Sequence, residues 1–185
     1  MIISEADRLR NLVNRLLGPN TLPNKRLINI HEVIERICQL VSAECHDGIT
    51  IIRDYDPSLP ELAADPDLLI QAILNIVRNA AEAMNYRGEI TICTRPLRQF
   101  TIGNIRHKLV ERIEIIDNGP GIPAELREKI FYPMVSGRAE GTGLGLSIAQ
   151  SIINQHQGLI ECTSRPGRTT FTILLPLNPT QTEET

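Results

Sequence analysis

Tryptophan is absent from this sequence and aromatic side chains make up only 3% of it. There is therefore no row of stacking platforms of the kind used on single-stranded nucleic acid. A basic excess is lacking too: 19 lysines and arginines stand against 22 aspartates and glutamates, a net charge of −3. Nucleic-acid surfaces carry a basic stripe, so no nucleic-acid partner is expected. No apolar run approaches the ~18–20 residues of a membrane span, and no membrane partner is expected either. The opening MIISEADRLR puts acids and arginines where a signal peptide carries an apolar stretch, and a cytoplasmic location follows as the expectation. Cys38, Cys45, Cys93 and Cys162 form no C-x-x-C pair and match no zinc spacing. They read as small residues of a reducing compartment. His31, His46, His107 and His156 are scattered, none at a metal-ligand spacing from a cysteine or carboxylate.

What is present fits one domain with a short appendage, since 185 residues can bury an ample core. Residues 1–17 carry apolar side chains every three or four positions and predict a helix, stopped by Gly18-Pro19. A second helical pattern runs from His31 to Ala43, and Ile49 to Arg53 predicts a strand. Asp56-Pro57 opens a loop. A long helix is expected from Pro66 to Met84, with Asp65 as N-cap and proline in the first turn. Glu89 to Thr94 alternates as a strand. Residues 96–116 predict a hairpin joined near Gly103-Asn104. Residues 117–143 are glycine- and proline-rich with little periodicity, which in so long a stretch signals function or disorder. A helix is expected from Thr142 to His156, then two strands around Arg165-Pro166-Gly167. The tail from 178 to 185 is polar and expected to be disordered. Mixed strands and helices with hairpins and crossovers predict an α+β two-layer sandwich.

Four places bear chemistry. Asn75 and Asn79 lie four apart on the long helix and so share a face. They are either the polar edge of an amphipathic helix or amide oxygens placed to ligate Mg²⁺ alongside phosphates and water. Asp117-Asn118-Gly119-Pro120-Gly121 follows an apolar strand. Asp117 is either a turn former or a buried carboxylate accepting an amine donor from a purine edge. Gly141-Thr142-Gly143-Leu144-Gly145-Leu146 runs into a helix N-terminus, which is either a flexible loop or a seat for polyphosphate. It lacks the lysine of a P-loop, and no strand precedes it as a dinucleotide fold requires. Phe131 to Arg138 is either an irregular loop or a lid bringing a guanidinium to a phosphate.

Together, the asparagine-bearing helix, DNGPGIP, FYPMVSGR, GTGLGLSIA and PGRTTFTILLP resemble the ATP-binding domain of bacterial sensor histidine kinases. That domain belongs to a wider group that includes gyrase, the Hsp90 chaperones and MutL. DYDPSLPELAADPDLL, LNIVRNA and FYPMVSGR resemble most the branch that senses nitrogen. The likeness covers about residues 25–176. It implies a Bergerat (GHKL ATPase) sandwich of a mixed sheet and three main helices, with ATP and Mg²⁺ under a lid at 118–143. Residues 1–18 resemble the end of a second dimerisation helix, 19–24 a linker, and 25–177 the catalytic domain.

By resemblance, Asn79 ligates Mg²⁺ and Asn75 sits beside the phosphates. Asp117 accepts the adenine amino group, helped by Thr169 through water. Gly119, Gly121 and Ile122 shape the adenine end. Gly141, Thr142, Gly143, Leu144, Gly145 and Leu146 line the phosphate end. Arg138 stands where most of these kinases have lysine. Hydrolytic relatives carry a glutamate general base four residues before the metal-binding asparagine. Asn75 occupies that position, and an amide does not take a proton at neutral pH. Slow hydrolysis and phosphoryl donation follow, with Asn75 and Arg138 as the catalytic pair acting by positioning and charge. The His acceptor box is missing: His31-Glu32 matches its first two letters but lacks the Asn-Pro. The implied partners are an upstream dimerisation domain bearing that histidine, an NtrC-like response regulator and a PII-type signal protein. The alternatives are a hydrolytic ATPase of the same superfamily or a non-catalytic ATP-sensing module.

Overall fold

A computed structural model describes residues 22–45, 48–135 and 143–177. The expected leading helix at 1–17, part of the linker, His46, Arg138, Gly141, Thr142 and the tail lie outside the described residues.

The elements follow the order β1 (Arg26–Ile28), α1 (Ile30–Cys45), β2 (Ile49–Tyr55), β3 (Leu62–Ala64), α2 (Pro66–Ala83), β4 (Gly88–Ile102) and β5 (Ile105–Asp117). They continue with α3 (Ala124–Arg127), α4 (Gly145–Gln155), β6 (Leu159–Arg165) and β7 (Arg168–Pro176). Five strands form one sheet in the order β2-β4-β5-β7-β6. β2 and β4 run parallel, joined through α2, and every other pair in this sheet is antiparallel. Alternate strand residues face alternate sides. Ile90, Ile92, Ile113, Ile115, Phe171 and Ile173 accordingly join the helices in a single apolar core. The architecture is therefore the mixed-sheet α+β sandwich expected, with α1, α2 and α4 as its main helices.

α2 lies between α1 and α4, and so little of its surface meets water: Leu69, Ala72, Ile73, Ile76, Val77, Ala80 and Ala81 are all buried. Its start is fixed as the sequence predicts. Asp65 accepts hydrogen bonds from the amides of Asp67 and Leu68, with Pro66 in the first turn. Its second oxygen accepts the Asn24 amide at 2.8 Å, and the Asp65 amide donates to His156 Nε2 at 3.0 Å. Asp65 thus ties the entry segment, α2 and the end of α4 together.

Four differences from expectation have local causes. The loop that Asp56-Pro57 opens contains β3, which pairs antiparallel with β1. The strands expected before and after Arg95 are one continuous β4 running through Pro96. β2 ends opposite Thr94, so Pro96 lies where β4 is an edge, the place in a sheet that tolerates proline. A short turn of helix, α3, interrupts the glycine-rich stretch. The described part of α4 begins at Gly145, not at Thr142. Beyond Pro96 the β4–β5 hairpin curls at Gln99, whose φ is +52°. Leu97, Phe100, Ile102, Val110, Leu159 and Leu174 gather there in a second, smaller apolar cluster.

Candidate functional site

Asp117 ends β5 and is 4% exposed. Its Oδ1 accepts the Gly119 amide at 2.9 Å, which turns the chain sharply out of the strand. A Cβ on Gly119 would lie 2.8 Å from that same oxygen and 3.1 Å from Met84 Cγ, so glycine is required there by close approach. Burial pushes the Asp117 carboxyl above its ordinary value, and the Gly119 hydrogen bond opposes the shift.

Thr169 is the cross-strand partner of Asp117 and is equally buried. Its Oγ1 lies 2.9 Å from Ser164 Oγ, and Ser164 Oγ accepts the Ile122 amide at 2.8 Å. Asp117, Thr169, Ser164 and Ile122 therefore form one connected polar corner at the end of the sheet. Gly121 has φ +86°, and a Cβ there would lie 2.9 Å from the Arg165 carbonyl carbon and oxygen. The Gly167 amide donates to Gly119 O at 2.9 Å, closing the β6–β7 turn onto the glycine stretch. Cys162 lies beside this corner, and burial, with the Asp117 charge, pushes its thiol up to about 12.

The second half of the site joins α2 to α4. Asn75 Nδ2 donates to Gly145 O at 3.2 Å. A Cβ built on Gly145 would stand 3.7 Å from Asn75 Cβ and 3.8 Å from Asn79 Nδ2. Both carboxamides thus lie against the first turn of α4. Leu144, at the cap position, makes no side-chain hydrogen bond to that helix end, so no cap from Leu144 covers amides that suit an anion. Gly143 has φ +63°, and its carbonyl accepts the Met134 amide at 3.0 Å. That bond pins the end of the Phe131–Val135 segment to the start of α4. Phe131 in turn meets Phe171 edge-on, with ring centroids 6.3 Å apart. A surface groove of about 510 Å³ lies between Phe131, Pro133 and the Ser147–Gln155 face of α4, and Asp117 is not among its lining residues.

The sequence-derived residues Asp117, Gly119, Gly121, Ile122 and Thr169 come together at one end of the site. Asn75, Asn79, Gly143, Leu144, Gly145 and Leu146 come together around the junction of α2 and α4. Arg138 and Thr142 lie outside the described residues. Sequence reasoning missed Ser164, Met84 and Asn118. Asn118 Oδ1 accepts the Glu89 amide at 3.0 Å, which locks the residue after Asp117 to β4. Ser164 and Asn118 belong to no helical period, although Asn118 stands inside DNGPGIP, and Met84 is only the last residue of the predicted helix. Among the described residues no group of three His, Cys, Asp or Glu side chains forms a metal cage. The donor set that fits a divalent ion here is an amide oxygen sharing the ion with ligand phosphates and water.

Comparison with known proteins bears on the family and the fold. The family model for histidine kinase-, DNA gyrase B- and HSP90-like ATPases matches residues 64–179. The sensory histidine kinase/phosphatase NtrB of Escherichia coli O157:H7 is 57% identical over 179 residues, which are 96% of this chain and 51% of that protein. The chain therefore spans about half the length of that curated relative. The catalytic domain of histidine kinase ThkA, in a nucleotide-free form, superposes with a TM-score of 0.71 at 29% identity, covering 83% of this chain and 96% of that one. ThkA in complex with the response regulator protein TrrA gives a TM-score of 0.74 at 27% identity, covering 96% and 50%.

Proposed function

The chain belongs to the family of histidine kinase-, DNA gyrase B- and HSP90-like ATPases, and from that premise we propose that it is the ATP-binding, phosphoryl-donating domain of an NtrB-like sensor histidine kinase. Asp117 accepts the adenine amino group at the closed end, with Thr169 beside it. Gly143, Leu144, Gly145 and Leu146 present backbone amides of the α4 start to the phosphates. Arg138 adds a cation there. Asn79 holds Mg²⁺, and the ion, when bound, neutralises charge on the phosphate oxygens.

The observation that carries the kinase reading over hydrolysis is the Asn75 amide. Its Nδ2 is engaged with Gly145 O, and an amide does not accept a proton from an attacking water at neutral pH. Asn75 positions the phosphate end of the site; it does not activate water. The γ-phosphoryl group is then kept for a histidine on an upstream dimerisation domain, to whose end we assign residues 1–18, with 19–24 as the linker. The partner in the ThkA complex supports a response regulator as the next acceptor. From the likeness to NtrB we further propose an NtrC-like regulator, nitrogen status signalled through a PII-type protein as the input, and a cytoplasmic setting.

The test mixes the chain with an upstream dimerisation domain and γ-labelled ATP. Label on histidine of that domain is the expected result. Release of inorganic phosphate without transfer would assign a hydrolase. Nucleotide binding with neither outcome would assign a sensing module.

A further inference from the structure

Strands β6 and β7 meet in a tight hairpin whose two faces do different things. Ser164 and Thr169 point to the nucleotide side, in the polar corner with Asp117. Their neighbours Thr163, Arg165, Arg168 and Thr170 face the other way. Arg165 and Arg168 are direct cross-strand partners, as are Thr163 and Thr170. The arginines flank Pro166-Gly167, where Gly167 at φ +82° suits the third position of a type II turn. Thr163, Arg165, Arg168 and Thr170, together with Ser164 at the edge between the two faces, line a groove of about 270 Å³.

Two like charges placed directly opposite on a sheet destabilise it. Arg165 and Arg168 make no ion pair among the described residues, although the chain has an acidic excess. Several other described arginines also lack an ion pair, but the other directly opposed pair of arginines, Arg95 and Arg112, has each member against a carboxylate. Paired guanidinium forks with hydroxyls beside them are the chemistry that recognises a tetrahedral or planar oxyanion. The groove is smaller than the ~300–1,000 Å³ of a site for a whole drug-sized ligand, so it suits a charged headgroup and not a second nucleotide.

We propose that the outer face of the β6–β7 hairpin is a second anion site, distinct from the nucleotide cleft, which holds a phosphate or carboxylate between Arg165 and Arg168. The site shares its backbone with the adenine corner: Gly167 donates to Gly119 O, and the Arg165 carbonyl packs on Gly121. An anion that fixes the two arginines fixes the same hairpin that sets Thr169 against Asp117. Occupancy therefore changes nucleotide affinity, and nucleotide changes anion affinity by the same factor.

The experiment titrates inorganic phosphate into the full chain at constant ionic strength, with and without saturating Mg-ADP, and follows the backbone amide resonances of Thr163 to Thr170. Saturable shifts that persist with ADP bound, and vanish in the double variant Arg165→Gln, Arg168→Gln, are expected. Shifts matched by chloride alone, or retained in the double variant, overturn the proposal. A glutamate oligopeptide in place of phosphate separates the sources. Tenfold tighter binding of the peptide assigns an acidic protein segment, tighter binding of phosphate assigns a small oxyanion, and saturation by neither overturns the site. Arg165→Glu is the control for folding. It replaces repulsion by a cross-strand ion pair, so it should raise the melting temperature by about 2 °C while abolishing the shifts.

Discussion

Asp117 is a buried acid with one oxygen on the Gly119 amide, and its charge is costly where it sits because burial has raised its pKa. Replacing it by asparagine keeps the shape and the bond to Gly119 while removing the charge. Asp117→Asn should therefore melt no lower than the parent. It would also present an N–H₂ donor where a purine amino group donates, and adenine-nucleotide affinity should fall about tenfold or more, the value of a lost hydrogen bond to a charged group. Thermal melting and calorimetric titration with ADP check the two expectations, and unchanged affinity would remove Asp117 from the adenine site. Asn79→Ala makes a narrower demand. Nucleotide affinity measured with and without Mg²⁺ should converge, since the residue is assigned to the ion. An undiminished Mg²⁺ effect would reassign it to packing against α4.

Glycine at the start of α4 separates ligand chemistry from fold at the level of the element. Gly143 is needed by the backbone itself, at φ +63° and with a Cβ position only 2.7 Å from the Met134 carbonyl carbon. At Gly145 the nearest atom would be 3.7 Å away, so the fold leaves room for a methyl group. Gly145→Ala should hold or raise the melting temperature, as alanine is about 1 kcal/mol better than glycine in a helix. Nucleotide affinity should nevertheless drop if phosphates occupy that space, and a variant that binds as well as the parent would show the space to be empty of ligand. At the other end of the helical layer, Asp65→Ala removes the α2 cap together with the Asn24 bond. A loss of about 1–2 kcal/mol, or about 4 °C in thermal melting, is expected, largely restored in Asp65→Asn.

This cap was legible because Asp-Pro-Asp before an apolar period is a local signal. Asp117 was legible for a similar reason, standing between an apolar strand and a glycine turn. β3 was not, because Leu-Ala-Ala carries no alternation and its partner β1 is distant in sequence. Ser164 was hidden as well, since its part in the polar corner beside Asp117 depends on a bond to Ile122 across the fold.

The pH dependence of stability belongs to the whole molecule, because the groups that govern it lie far apart. Glu111 sits in the central strand β5, between Pro96 and Leu175. It is 0% exposed, and neither carboxylate oxygen has a hydrogen-bond partner. Burial pushes its carboxyl from an ordinary 4.5 up to about 8. The folded state therefore retains a proton that the unfolded chain releases, so stability declines as pH rises from about 4.5 to about 8. His156 acts with the opposite sign. It is buried and neutral, with Nδ1 near Ile152 O and Nε2 accepting the Asp65 amide. Its pKa is lowered, chiefly by burial, from 6.5. The stability it contributes is present above 6.5 and is lost as pH falls through its folded pKa. Between about 4.5 and 6.5 the two slopes oppose each other. Above 6.5 only the Glu111 slope remains of the pair, and the parent should melt progressively lower toward pH 8. Glu111→Met fills the same space without the carboxylate. It should melt about 4 °C or more above the parent at pH 8, with the gap closing as pH falls to 5. A gap that does not change between those two pH values would show that Glu111 is ionised in the folded protein and that its burial is compensated by a partner.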